Sequence, residues 1–185
     1  MNTRQLPTSV EIDGVECEFY SDYRDIIDVM NILDDPDLLE GERIEVALDN
    51  FYKTDDYKNN IHDAIIYMYQ FISQSDKIEN KNGPEPKPLY DWDKDFNIIV
   101  APVNKIIGKD VRGIEYLHWW TFLSAFMEIG ECTFSTYVSI RDKLNRGKKL
   151  EKYEERIYRE NKDDITLKKK VDSTTQAILD EIMGV

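Results

Sequence analysis

Tyr116-Leu117-His118-Trp119-Trp120-Thr121-Phe122-Leu123-Ser124-Ala125-Phe126-Met127 is the longest uncharged, aromatic-rich run in the chain. With its flanks, from Ile114 to Ile129, it is apolar on nearly every side. A helix without a polar face is normally surrounded by other helices. The run therefore reads as the central helix of a helical domain, stopped by Gly130. It is too short to cross a bilayer, which takes about 20 residues. Trp119 and Trp120 are adjacent and would project about 100° apart on a helix. Core packing is the plainer reading of both. Trp119 is the better candidate for partial exposure, where an indole can anchor a partner. His118 reads as a hydrogen-bonded core histidine rather than a catalyst.

Upstream, Val10 and Ile12 alternate with polar residues, and so do Val15, Cys17 and Phe19, around Asp13-Gly14. That dipeptide favours a turn with positive φ, so residues 8–20 are expected to form a β-hairpin. Helical spacing follows. Ser21 is placed to cap a helix with Tyr23, Ile26, Ile27, Met30 and Leu33. Asp35-Pro36 reads as the opening of a second helix carrying Leu39, Ile44, Ala47, Leu48 and Phe51, with Gly41 interrupting its first turn. Ile61, Ala64, Ile65, Met68, Phe71 and Ile72 mark a third. Gly83, Pro84, Pro86 and Pro88 among charges give a flexible loop over 76–90.

Beyond the loop, Trp92, Phe96, Ile99, Val100, Val103, Ile106 and Ile107 share one face ending at Gly108, and Pro102 predicts a kink or break near Ile98 to Ala101. Thr133 is expected to cap a helix bearing Phe134, Tyr137, Val138 and Leu144. Lys148 to Asn161 reads as a charged surface helix with a thin stripe of Leu150, Tyr153 and Ile157. The expected fold is mainly α, a helical bundle-like single domain over 1–170 with a short N-terminal β-hairpin. Residues 171–185 form a weakly amphipathic tail.

Charge divides the chain. Lys and Arg number 24 against 37 Asp and Glu, a net −13. Residues 1–56 carry 4 basic and 16 acidic side chains, whereas Arg141 to Lys170 carry 12 basic and 7 acidic. The acidic total argues against non-specific nucleic-acid or anionic-membrane binding. The asymmetry suits head-to-tail contacts or an acidic partner, although two solvated faces would produce it too. No apolar run follows Met1, so no signal peptide is expected. Cys17 and Cys132 can form neither a disulfide framework nor a four-cysteine zinc site.

Catalytic candidates are few. His62 and His118 are the two histidines, and neither belongs to a metal-ligand motif. Asp91, Asp93 and Asp95 alternate in Tyr90-Asp91-Trp92-Asp93-Lys94-Asp95-Phe96 and could form a hard-cation site. At a helix start, capping by Asp91 or Asp93 is the plainer use. Ser124 lacks the glycine-flanked turn of a nucleophile elbow. Arg141 falls on the apolar face beside Tyr137, Val138 and Leu144, so it must snorkel or find a carboxylate; Glu128, Asp91, Asp93 and Asp95 are the candidates. The readings are a structural ion pair first and an interface contact second. Lys143, Lys148 and Lys149 lie in the one basic segment. Trp119, Arg141, Lys143, Lys148 and Lys149 are thus the candidate partner-binding residues. No catalytic, cofactor or metal residues are assigned.

Several of these stretches carry a family pattern. Leu89-Tyr90-Asp91-Trp92-Asp93-Lys94-Asp95-Phe96, Tyr116-Leu117-His118-Trp119-Trp120-Thr121-Phe122, Ile140-Arg141-Asp142-Lys143-Leu144 and Gly147-Lys148-Lys149-Leu150 resemble the bacteriophage gene-product-fifteen family of tailed phages and prophages of Gram-positive bacteria. Leu6-Pro7, Tyr23-Arg24, Asn161 and Lys162 fit it as well, so the resemblance spans residues 6 to 170. It implies a gene in the tail morphogenesis region of a siphovirus, between the major tail protein and the tape-measure protein, where tail assembly chaperones are encoded. The implied partners are the tape-measure protein, the tail tube protein and further copies of the chain. The implied place is the host bacterial cytoplasm, with absence from the mature virion. The family brings no catalytic residues and no cofactor. The alternatives are a minor tail or tail-completion protein retained in the virion and, from Asp91, Asp93 and Asp95, a carboxylate-metal enzyme.

Overall fold

Asp13 and Gly14 both adopt positive φ, 50° and 78°, which matches the twist of a two-residue hairpin turn. They join β1 (Ser9–Ile12) to β2 (Val15–Glu18), antiparallel with Val10 opposite Cys17 and Ile12 opposite Val15. This computed structural model describes residues 5–75 and 87–167. The loop expected at 76–90 lies mostly outside the described residues, and the tail expected at 171–185 lies wholly outside them. The chain read from sequence as one domain divides into two compact units. The described parts are 5–75 with 116–120, and 87–115 with 121–167.

The first unit contains the hairpin, α1 (Tyr23–Leu33), α2 (Glu40–Phe51) and α3 (Ile61–Ser73). The hairpin's apolar face is not left in water: Ile12, Cys17 and Phe19 are buried. Past β2 the chain stays extended and pairs with the residues leaving α2. The Tyr20 N–H donates to the Phe51 carbonyl, and the Lys53 N–H to the Glu18 carbonyl. The Phe19 ring stacks on Phe51 at 4.9 Å and meets Phe71 edge-on at 4.8 Å. Three segments distant in sequence therefore share one aromatic core.

Two helix starts of this unit differ from expectation. Asp22, not Ser21, caps α1, accepting from the Arg24 N–H, while the Ser21 hydroxyl bonds the Tyr116 hydroxyl. Asp35 and Pro36 form a turn in which the Asp35 carboxylate takes the Asp37 N–H, and α2 begins only at Glu40. A short side chain that bonds its own backbone two residues on competes with helix initiation. Leu39 consequently sits before the helix at 73% exposure instead of on its buried face.

The second unit holds α4 (Trp92–Ile107), α6 (Thr133–Asn145), α7 (Lys152–Glu160), the single-turn α8 (Lys162–Ile165), and most of α5 (Trp119–Met127). Of the kink or break expected near Ile98 to Ala101, the break is absent, and α4 runs through Pro102. Proline removes one backbone donor there. Buried Ile99, Val100 and Val103 on either side keep the helix packed. Gly108 ends it at φ 79°, a conformation that glycine adopts without the Cβ penalty. Cys132 rather than Thr133 is the N-cap of α6. Within the unit, Tyr90, Trp92, Phe126 and Phe134 form an aromatic cluster. Tyr137, Ile140 and Ile165 form an aliphatic one, flanked by Ile98, Leu150, Ile157 and Tyr158.

Candidate interaction surface

The central run divides into a strand-like entry and a helix. Ile114 to His118 are not helical. The Tyr23 N–H donates to the Leu117 carbonyl, the Trp119 N–H to the Ser21 carbonyl, and the Leu117 N–H to the Asp22 carboxylate at 2.7 Å. α5 starts at Trp119, and the cap is a histidine. The Trp120 N–H donates to His118 Nδ1 at 3.1 Å, while Nε2 faces the Pro7 carbonyl at 2.9 Å. A carbonyl only accepts and an amide N–H only donates, so the ring is the neutral Nε2–H tautomer. Burial lowers the His118 pKa, although the Pro7 carbonyl partly offsets it. His118 is a hydrogen-bonded core histidine, as the sequence indicates.

The two tryptophans are anchored alike. Trp119 Nε1 donates to the Ile72 carbonyl and Trp120 Nε1 to the Phe71 carbonyl, each at 2.9 Å. Trp119, expected to be the more exposed, is 1% exposed. An indole whose N–H is already committed to a backbone carbonyl at the end of α3 is part of the core and presents nothing to a partner.

Arg141 is likewise interior. Its guanidinium makes a bidentate pair with Asp95 at 2.6 and 3.0 Å. It also donates to the carbonyls of Ile165 at 2.6 Å, Leu89 at 3.1 Å and Asp164 at 2.8 Å. These bonds use all five N–H donors of the side chain, so none remains for a partner. The structural ion pair expected from sequence is present, with Asp95 chosen from the four carboxylates considered. Lys94 reaches the same C-terminal turn, donating to the Thr166 carbonyl at 2.8 Å. Cations on the last carbonyls of a helix complete its unpaired acceptors.

Lys143 is also committed. Both carboxylate oxygens of the buried Glu154 receive its ammonium at 2.7 Å. That contact, with the Glu151 N–H, holds the Glu154 carboxyl below its ordinary range and raises the Lys143 pKa. Of the five candidate residues only Lys148 and Lys149 are exposed, adjacent on the α6–α7 connection. Among the described residues neither takes part in an ion pair. Trp119 belongs to the first unit and the other four to the second.

The alternating acids do not converge. Asp91 caps α4, accepting from the Asp93 and Lys94 N–H groups, and Asp95 is held by Arg141. Among the described residues no group of three or more His, Cys, Asp or Glu is placed to hold a metal ion. The polar concavity around Asp49, Tyr57 and Lys58 is closed on itself. The Tyr57 hydroxyl donates to Asp49, and Lys58 bridges Asp49 at 3.4 Å and Asp55 at 2.7 Å. Burial and the Asp49 carboxylate push the Tyr57 phenol up to about 12.

The family profile described as Bacteriophage Gp15 protein matches residues 3–167. The chain belongs to the bacteriophage Gp15 family. No curated protein and no solved structure matches it. The Gp15 match takes in both units, from before the hairpin to the end of α8. The His118 cap and the Arg141 hub therefore lie within the family region.

What the sequence reading of this Gp15 chain missed is the apolar surface. Leu39, at 73%, lies beside exposed acids, and Tyr69, at 37%, has its hydroxyl pKa raised by burial and by nearby Asp34 and Glu40. In the second unit Leu144 is 40% and Tyr153 57% exposed. Both fall on the apolar faces that helical spacing predicts. Periodicity locates a residue on a helix but not where the packed stretch of that helix ends.

Proposed function

We propose that this Gp15-family protein is a tail assembly chaperone. It binds the tape-measure protein in several copies in the host cytoplasm, shields it during tail morphogenesis, and leaves as tail tube protein takes its place. The observation that carries the reading is membership of the phage family over residues 3–167, since the resemblance ties that family to the tail morphogenesis region. The helical architecture is compatible with it. A long amphipathic partner helix needs apolar contacts along its length, and exposed Leu39, Tyr69, Leu144 and Tyr153 supply apolar positions amid charge. A net charge of −13 favours solubility of such a complex. In this reading the protein is not an enzyme, and Asp91 and Asp95 serve the fold.

Quantitative mass spectrometry of infected-cell lysate and of purified virions tests the reading. A chaperone is abundant in the lysate and depleted from the virion. Retention in the virion at a fixed copy number per tail would establish the minor-tail role instead.

A further inference from the structure

Two exposed surfaces of this chain have opposite charge and similar apolar content. The first is the turn between α1 and α2. Asp34 ends α1, Asp37 and Glu40 follow in the connection and the first turn of α2, and Leu39 stands among them at 73% exposure with Tyr69 nearby. Among the described residues, Asp34 and Glu40 are in no ion pair. The second is the connection between α6 and α7. Lys148, Lys149 and Lys152 are exposed there without an ion pair among the described residues, and Leu144 and Tyr153 are exposed beside them. The Lys148 N–H is tied to the Lys143 carbonyl at 2.8 Å, so this connection is anchored where it leaves α6.

We infer that the acidic α1–α2 turn of one molecule docks on the basic α6–α7 connection of a second copy. Like charges gathered on a surface repel one another, and a partner of opposite charge relieves that repulsion. A nucleic-acid backbone would satisfy the lysines alone, but a chain of net charge −13 repels it. A second copy supplies carboxylates for the lysines and apolar side chains for Leu144 and Tyr153. The two surfaces are different, so the contact is heterologous, and a bound pair still offers one free acidic and one free basic surface. Such a contact propagates from copy to copy. This goes beyond the chaperone reading and holds whether or not a tape-measure protein is present.

Sedimentation equilibrium of the full chain tests it with two charge-reversed proteins, one carrying Lys148→Glu and Lys149→Glu, the other Asp34→Lys and Glu40→Lys. The wild type is expected to self-associate with increasing concentration and to dissociate as salt screens the contact. Each variant alone is expected to associate at least about tenfold more weakly, since two attractive pairs become repulsive. Mixed in equal amounts, the two bring surfaces of opposite charge together at every contact, the wild-type pair and the reversed pair alike, and are expected to associate with each other much more strongly than either does alone. A chain with all four substitutions should regain self-association. Leu39→Ser, at an exposed position outside the helix, should weaken association without a change of charge, which covers the case in which Glu40→Lys loosens α2. A monomeric wild type, variants that associate like the wild type, or a mixture that stays monomeric would each overturn the inference.

Discussion

Replacing Arg141 should cost more stability than any other single polar change in the second unit. In Arg141→Met the aliphatic stem is kept and the guanidinium removed. Asp95, with its side chain 2% exposed, then loses a bidentate cation at 2.6 and 3.0 Å, and the carbonyls of Leu89, Asp164 and Ile165 lose a donor. Breaking a buried pair by removing one partner costs about 3–5 kcal/mol, mostly because the other charge is left unpaired. Total stability is about 5–15 kcal/mol, so a large part of it is at stake. Asp95→Asn relieves the stranded charge and keeps an oxygen for the Asp91 N–H, which Asp95 accepts at 3.0 Å. The double variant Arg141→Met, Asp95→Asn should therefore be more stable than Arg141→Met alone. Urea unfolding of the wild type, both single variants and the double variant gives the coupling energy. A loss below about 1 kcal/mol for Arg141→Met, the range of exposed pairs, would refute the account of Arg141 as a hub.

Trp120→Ala removes a buried indole bonded to the Phe71 carbonyl and should cost about 3–5 kcal/mol in the same assay; an almost unchanged melt would remove α5 from the core. Burial holds the His118 pKa below its ordinary 6.5, so the folded protein takes up the proton less readily than the unfolded chain. Stability should be full above about pH 6.5 and fall as pH drops below it, and His118→Asn should flatten that slope; an equally steep slope in the variant would contradict it. Magnesium, calcium and manganese should leave the melting temperature unchanged, because Asp91 and Asp95 are already committed. A saturable rise that is lost in Asp93→Asn would restore the metal reading.

What the sequence made legible was local or periodic. Asp13-Gly14 specifies a turn by its own backbone preferences, and the spacing of Ile61 to Ile72 or of Trp92 to Ile107 marks one buried face. An arginine on an apolar stripe announces its need for a carboxylate, so the ion pair was foreseen. Its partner, 46 residues away, became unique only when α4 and α6 were packed. The failures are contacts of long range. Ile114 to Leu117 look helical by composition, but the Leu117 N–H is claimed by the Asp22 carboxylate, 95 positions earlier, and its carbonyl by the Tyr23 N–H. A histidine ring capping α5 is outside the usual set of Ser, Thr, Asp and Asn. At Asp35-Pro36 a side-chain turn won over a helix cap of the same composition. Lys143 looked available because the sequence gives no sign that Glu154, on a highly charged helix, is buried beneath it.

Co-expression of this protein with the tape-measure protein of the same phage, followed by affinity capture through the tape measure and native mass spectrometry at low and high salt, tests the central claim most directly. Apolar contacts should keep copies on the tape measure at high salt, while exposed charges set how neighbouring copies adjoin. Several copies per tape-measure chain are expected, retained in part as salt rises. A tape-measure protein recovered without this chain at low salt, where every charge contact is strongest, would contradict it.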